Sequence, residues 1–280
     1  MVGHILRPAQ GNCIPPNAVS PDLVARMSKS HEANVENQFG PRADAYIKGA
    51  ILAAGDDLDV LEDIARREAP ANAMDVGCGG GHVAYRLARH SDRVVAIDLS
   101  SEMLAAVAAS ARERGLSNIE TSAASAECLP YEDHAFQFLA SRFSAHHWRG
   151  FEAGLREARR VLEPRSIAVF IDPVAPGRAP FDTHLQAIEL LRDTSHVRDY
   201  TVAEWLAALD RAGFAARALR TWRLRMDFPT WTARIRTPDL NQAAIRALQL
   251  AASVEVVDYF GIESDGSFLL DTMMIEAIAV

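Results

Sequence analysis

The chain has 280 residues, a net charge of −8, and 49% hydrophobic against 24% charged residues. That composition is globular rather than disordered, and its acidic balance argues against a broad nucleic-acid footprint, which needs clustered Lys and Arg. No apolar run reaches the roughly 20 residues that span a bilayer, and the first thirty residues lack the basic-then-apolar layout of a secretory signal.

Residues 1–26, with GNCIPPNAV among them, lack periodicity and read as a flexible leader, which leaves 27–280 as one domain and 27–50 as its amino-terminal cap. Apolar strand-like runs then alternate with helix-length periodic segments, the pattern of βαβ units and a mostly parallel sheet. ANAMDVG is the first strand, followed by a helix over about residues 81–90, and RVVAIDL is the second. SSEMLAAVAASARERG is a strong helix: Ser100 or Ser101 caps it, alanines fill it and Gly115 ends it. NIETSAAS and AFQFLASRF are the third and fourth strands, FEAGLREARRVLE an amphipathic helix, and SIAVFIDPV a fifth strand broken by Pro173. Residues 176–200 read as a polar and basic insertion before the helix TVAEWLAALDRAGF. A sixth strand near ARALRTWRLRMDF, a helical excursion over 229–252 and a last strand-like run, SFLLDTMMIEAIAV, complete the chain. The expected architecture is a doubly wound α/β sheet with helical additions. Cys13, Cys78 and Cys128 are too scattered for a disulfide framework, so a reducing cytoplasm is expected, and no His/Cys/Asp spacing suggests a metal site.

In such sheets ligands bind beyond the carboxyl ends of the strands, and here the first strand runs into DVGCGGG. Counted from Gly77, the third glycine of a dinucleotide fingerprint would be His82; counted from Gly79, the pattern closes on Ala84, so spacing alone leaves NAD open. Asp75 lies two residues before Gly77, where a carboxylate disfavours a pyrophosphate and favours an ammonium group, the alternative being that it caps the helix start or pairs with a lysine. Asp98 ends the second strand, where an acid suits a pair of ribose hydroxyls. S-adenosylmethionine, with an amino-acid end, a ribose and no phosphate, satisfies both positions.

DVGCGGG followed by VVAIDLSSEML, SAECLPYEDHAFQFL and EARRVLEPRSIAVFIDPV resembles the class I S-adenosylmethionine-dependent methyltransferases, most closely those of ubiquinone and menaquinone biosynthesis and of small molecules. The likeness runs from about Val35 to the carboxyl terminus. It implies a Rossmann-like sheet of seven strands with the last antiparallel, and S-adenosyl-L-homocysteine as product. It also implies that Asp75, Gly77, Cys78 (by backbone only) and Gly79 hold the methionine end. Asp98 would take the ribose, Leu99 and Met103 would pack against the adenine, and Ser125, Ala126 and Glu127 would border it. Ser125, a weaker acceptor, stands where the family usually has Asp, and Pro164-Arg165-Ser166 replaces its usual Pro-Gly-Gly turn. NVENQFGPRADAYIKGAI resembles the segment that closes over the cofactor, with Phe39 and Tyr46 excluding water.

The acceptor side rests on SRFSAHHW, which follows the fourth strand. His146 or His147 is the candidate general base, one of the pair only, because adjacent side chains do not readily point the same way; the alternative is a histidine bonded to backbone at a helix start. Arg142 is placed with the cofactor contacts, and either steers an acidic acceptor or pairs with a surface carboxylate. His184, His196 and Arg198 form either a polar lid or a solvated loop, and Trp231 and Arg234 either shape the acceptor pocket or pair protomers. The expected activity is methyl transfer to a small-molecule O, N or C acceptor, with no nucleic-acid or membrane partner and with homodimerisation open. A non-catalytic cofactor-binding regulator and an NAD-dependent oxidoreductase are the alternatives.

Overall fold

In the computed structural model, residues 30–40 and 54–280 are described, so the leader, Tyr46 and most of the 27–50 segment lie outside the described residues. Seven strands run β1 (Asn72–Val76), β2 (Arg93–Asp98), β3 (Ile119–Ala123), β4 (Phe136–Arg142), β5 (Leu162–Pro173), β6 (Phe214–Met226) and β7 (Phe268–Ala279). They lie in the order β3-β2-β1-β4-β5-β7-β6. All neighbours are parallel except β7, which pairs antiparallel with both β5 and β6. A dinucleotide-binding Rossmann sheet continues 3-2-1-4-5-6 in parallel, so the antiparallel insertion of β7 separates this fold from that one.

The central strands are apolar on both faces, as burial under two helical layers demands. Along β2, Val95 and Ile97 pack on one side while Val94 and Ala96 pack on the other; along β5, Ala168 and Phe170 oppose Ile167, Val169 and Ile171. One layer holds α2 (Asp56–Glu68), α3 (His82–Leu87) and α4 (Ser101–Glu113) through Leu58, Leu61, Tyr85, Leu104 and Val107. The other holds α5 (Phe151–Val161) and α7 (Val202–Ala212) through Leu155, Ala158, Trp205 and Leu209. Ser100 caps α4 by accepting from the Met103 N–H, and Thr201 with Glu204 closes a capping box on α7. Each such cap contributes about 1 kcal/mol.

A third cluster forms beyond the sheet. There α6 (Ala179–Arg192), α8 (Phe228–Arg234), α9 (Asp239–Leu250) and α10 (Val254–Phe260) pack through Phe181, Leu185, Ile188, Trp231, Ile245 and Phe260. The stretch read as a polar insertion is thus largely a helix. Phe181, Leu185 and Ile188 recur on one face at helical spacing, and Pro180 sits in the first turn, where its missing N–H costs nothing. At the usual Pro-Gly-Gly turn position, Arg165 adopts φ +71°, a left-handed conformation that glycine takes without strain.

Candidate functional site

One cavity runs from the strand ends of β1 and β2, across the β1/β4 gap where strand order reverses, to the third helical cluster. That placement follows from the topology, because the connections from β1 and β4 leave in opposite directions and open a crevice between them.

At the first end, Gly77 and Gly79 line the wall with φ +71° and +46°. A Cβ on Gly77 would fall 1.9 Å from Ser144 Oγ, so the turn after β1 and the turn after β4 touch only because a side chain is missing. A Cβ on Gly79 would meet nothing within 4 Å and would project into the open space instead. Asp98 lines the cavity, with Oδ2 accepting from the Gly79 N–H at 2.9 Å and Oδ1 from the Ser100 N–H at 2.9 Å. Its enclosed position pushes its pKa up, against the pull of the Ser100, Gly79 and Leu99 amides. A carboxylate has about four lone-pair positions, so capacity remains for further donors from the cavity. Leu99, Met103, Ala124, Ser125, Ala126 and Glu127 complete this end. The Ser125 hydroxyl donates to Glu127, which also accepts from the Gly150 N–H at 2.8 Å.

Three expected contacts are placed differently. Asp75 is 1% exposed and absent from the cavity wall; its Oδ2 accepts from the Ala84 N–H at 3.0 Å and anchors α3 to β1. Burial raises its pKa to about 7. Cys78 turns its thiol into the core and gives its N–H to Ile97 O at 2.8 Å, stitching the turn to β2. Arg142, expected near the cofactor, lies outside the cavity wall: its guanidinium donates to Asp57 and covers the Phe143 ring.

The other end is built around the turn after β4. Phe143 takes φ +51° there, a strain of about 1–2 kcal/mol for a non-glycine residue. The short 3-10 turn that follows brings His146 and His147 both to the cavity, with ring centroids 4.1 Å apart, against the expectation that they diverge. Their environments then separate them. The backbone and Nδ1 of His146 both donate to Asp172, at 2.9 and 2.8 Å, which leaves Nε2 as the nitrogen not engaged by that carboxylate. Burial opposes its charging, but Asp172, Asp199 and Glu189 outweigh burial and raise its pKa to about 9. Burial and the neighbouring His146 charge lower His147 to about 3, and its Nδ1 donates to Ser195 O at 3.1 Å.

From the loop after α6, His196 packs 5.9 Å from the His146 ring. Glu189, Arg192, Asp193 and Asp199 also reach this end of the cavity. His184 and Arg198 do not line it: His184 packs on Phe260 and Arg198 pairs with Asp182 and Glu204. Phe39, Val35 and His31 of α1 (His31–Phe39) line the cavity, as do Trp231, Met226 and Leu270. His31 donates to the His147 carbonyl at 2.7 Å and Asn34 to Thr194 O at 2.9 Å, which tie α1 across the opening. Sequence reasoning missed Asp172, Glu189, Asp193 and Asp199. Only Asp172 carried a local signal, an acid at a strand end like Asp98. Among the described residues no group of three or more His, Cys, Asp or Glu is placed to hold a metal ion, and no helix is long and apolar enough to cross a membrane.

Comparison with known proteins agrees with this architecture. Residues 73–165 match the methyltransferase domain family. The uncharacterized Escherichia coli protein YafE is 43% identical over 201 residues, covering 72% of this chain and 97% of that protein. The crystal structure of Bacillus subtilis YcgJ superposes with a TM-score of 0.76 at 28% identity, over 79% of this chain and 97% of that one. A candidate methyltransferase of Bacillus halodurans gives 0.77 at 28% identity, over 80% and 99%. The chain belongs to the methyltransferase family and has its Rossmann-like sheet.

Proposed function

We propose that the protein transfers a methyl group from S-adenosylmethionine to a small-molecule acceptor, and that the Asp172–His146 pair takes the acceptor's proton. The observation that carries this reading is the continuity of the cavity: the glycine turn and Asp98 lie at one end, the histidine turn at the other. The residues fit the cofactor, because Gly79 leaves open space in front of its backbone and Asp98 retains acceptor capacity beside it. Asp98 would hold the ribose hydroxyls, Leu99 and Met103 would flank the adenine, and Ser125 with Glu127 would meet its edge. When bound, S-adenosylmethionine supplies an electrophilic methyl group on a sulfonium centre.

The chain's own contribution is placement, drying and proton removal. Holding an acceptor in line at about 3 Å accounts for much of the acceleration in a displacement of this kind. Phe39, Val35, Trp231 and Met226 give the cavity apolar walls that exclude water, which favours a reaction in which positive charge is neutralised. An acceptor hydroxyl, ammonium or acidic C–H must lose a proton; His146 would receive it at Nε2 in its neutral form, which its pKa of about 9 makes the major form only in alkaline solution, while Asp172 fixes the ring.

Calorimetric titration of S-adenosylhomocysteine tests the reading, with NAD as the control ligand. Binding of the thioether nucleoside alone, lost or weakened in Asp98→Ala, is the expected result; binding of NAD in its place overturns it.

A further inference from the structure

Deep in the acceptor end, Asp199 is 1% exposed and lines the cavity, yet neither carboxylate oxygen has a hydrogen-bond partner among the described residues. Asp193 Oδ2, also on the wall, is likewise unpartnered. Leaving such atoms buried and unsatisfied costs free energy, and native structures do so where something else completes them.

The neighbouring cations are already committed. His146 is bonded to Asp172, and Arg192 lies 3.5 Å from Glu189 with its guanidinium over the Trp231 ring. His196 points Nε2 at Gln186 Oε1 at 3.0 Å and comes only within 4.0 Å of Asp199. Four carboxyl groups, Asp172, Glu189, Asp193 and Asp199, thus lie at this end with His146 and Arg192, and Arg234 is the further cation that lines the cavity beside Trp231. Burial and the adjacent Glu189 push Asp199 well above the ordinary carboxylate range, a shift that a positive partner would oppose. Burial and His146 hold His196 neutral, with a pKa of about 3, and it does not supply that charge.

We infer that the methyl acceptor carries a basic nitrogen on an apolar body, and that Asp199 receives this nitrogen as an ammonium group. The inference rests on the methyltransferase reading above and names the class of acceptor for the same cavity. An anionic acceptor would meet surplus carboxylate, and a hydroxyl would leave the surplus uncompensated. The apolar body has its counterpart in the walls formed by Phe39, Met226, Trp231 and Leu270.

The test uses the full chain saturated with S-adenosylhomocysteine, whose own binding is measured first. Absence of that binding sinks the cofactor reading and is distinguishable from everything that follows. Three probes of one shape are then titrated: 2-phenylethylamine, 2-phenylethanol and 3-phenylpropanoate. The amine is expected to bind at least about tenfold tighter than either counterpart, and to lose about tenfold or more in Asp199→Asn, as for a lost charge-assisted hydrogen bond. S-adenosylhomocysteine affinity in that variant should stay within about twofold, since Asp199 lies at the far end of the cleft. Equal or tighter binding of the alcohol or the acid overturns the inference, as does amine binding unaffected by Asp199→Asn, or failure of all three probes to bind. The wild-type series decides the matter even if the variant does not fold.

Discussion

The cofactor end of the cleft is made by three turns, each following its own strand, whereas the acceptor end draws side chains from segments scattered between His31 and Leu270. At the first end the contacts are largely backbone amides and small residues, and the carboxylates Asp98 and Glu127 are each held by backbone amides. At the second, carboxylates and histidines are buried together and shift one another's protonation. On the proposed reading, the difference is between a surface that recognises one constant molecule and a pocket whose chemistry is set by what it must hold. Backbone geometry suits the former, because it depends little on side-chain identity. Side chains from independent elements suit the latter, because each can be exchanged without disturbing the sheet.

If the two ends divide the labour in this way, each can be damaged separately. The largest effect is expected at His146. His146→Gln should lower turnover by roughly 10²- to 10⁴-fold while leaving S-adenosylhomocysteine affinity unchanged. The imidazole must be neutral to accept a proton, so with a folded pKa of about 9 the wild-type rate should climb about tenfold per pH unit up to that value and then level. A flat profile from pH 6 to 9, or loss of nucleoside binding in the variant, breaks the division.

Next in size is Gly77→Ala, whose Cβ would overlap Ser144 at 1.9 Å in a left-handed backbone. Denaturant unfolding should show a loss of about 3 kcal/mol. By contrast Gly79→Ala, with nothing in the way, should cost the fold only about 1 kcal/mol but impair nucleoside binding, which separates a packing glycine from a ligand-facing one.

Asp98→Ala should weaken S-adenosylhomocysteine by about 10- to 100-fold, the range for a charged hydrogen-bond acceptor. Asp75→Asn should change that affinity by less than about threefold, because its carboxyl holds the Ala84 amide and an amide oxygen can replace it. A calorimetric result in which the two variants are equally damaging would return Asp75 to the ligand.

Acid unfolding of a histidine variant probes the acceptor end. His147 and His196 have pKa values lowered to about 3 in the folded state, below their ordinary 6.5. Their contribution to stability is therefore complete above pH 6.5 and is lost as pH falls toward 3, at up to about 1.4 kcal/mol per pH unit for each. His196→Asn should flatten that slope in chemical denaturation between pH 6.5 and 4; an unchanged slope would mean that His196 is not held neutral. The smallest expected change is Arg165→Gly, which relieves a left-handed residue at φ +71° and should add about 1 kcal/mol without touching either end of the cleft.

Much of this molecule is legible in its sequence, because the information is local. ANAMDVG, RVVAIDL and SIAVFIDPV each contain strand, face and turn within one short run, and Gly77, Gly79 and Asp98 are placed by nothing more than the end of the strand that precedes them. Even Asp75 was correctly located at a strand end, but whether its carboxyl turns toward the crevice or toward α3 depends on how that helix docks. The same holds for Arg142, drawn away by Asp57 from a helix that comes earlier in the chain. The periodicity of Phe181, Leu185 and Ile188 was present in the sequence and was masked by the polar residues between them. The acid–base nest had no such trace. Asp172, Asp193, Asp199, His146 and His196 share a site only because β4, β5 and the loop after α6 converge at one edge of the sheet. The sequence alone determined the sheet, the glycine turn and the acid beside it, since each depends on neighbours within a few residues. Tertiary structure alone decided which of two adjacent histidines is held as a cation, which is neutral, and which carboxylate is left without a partner, since burial and charge act through space rather than along the chain.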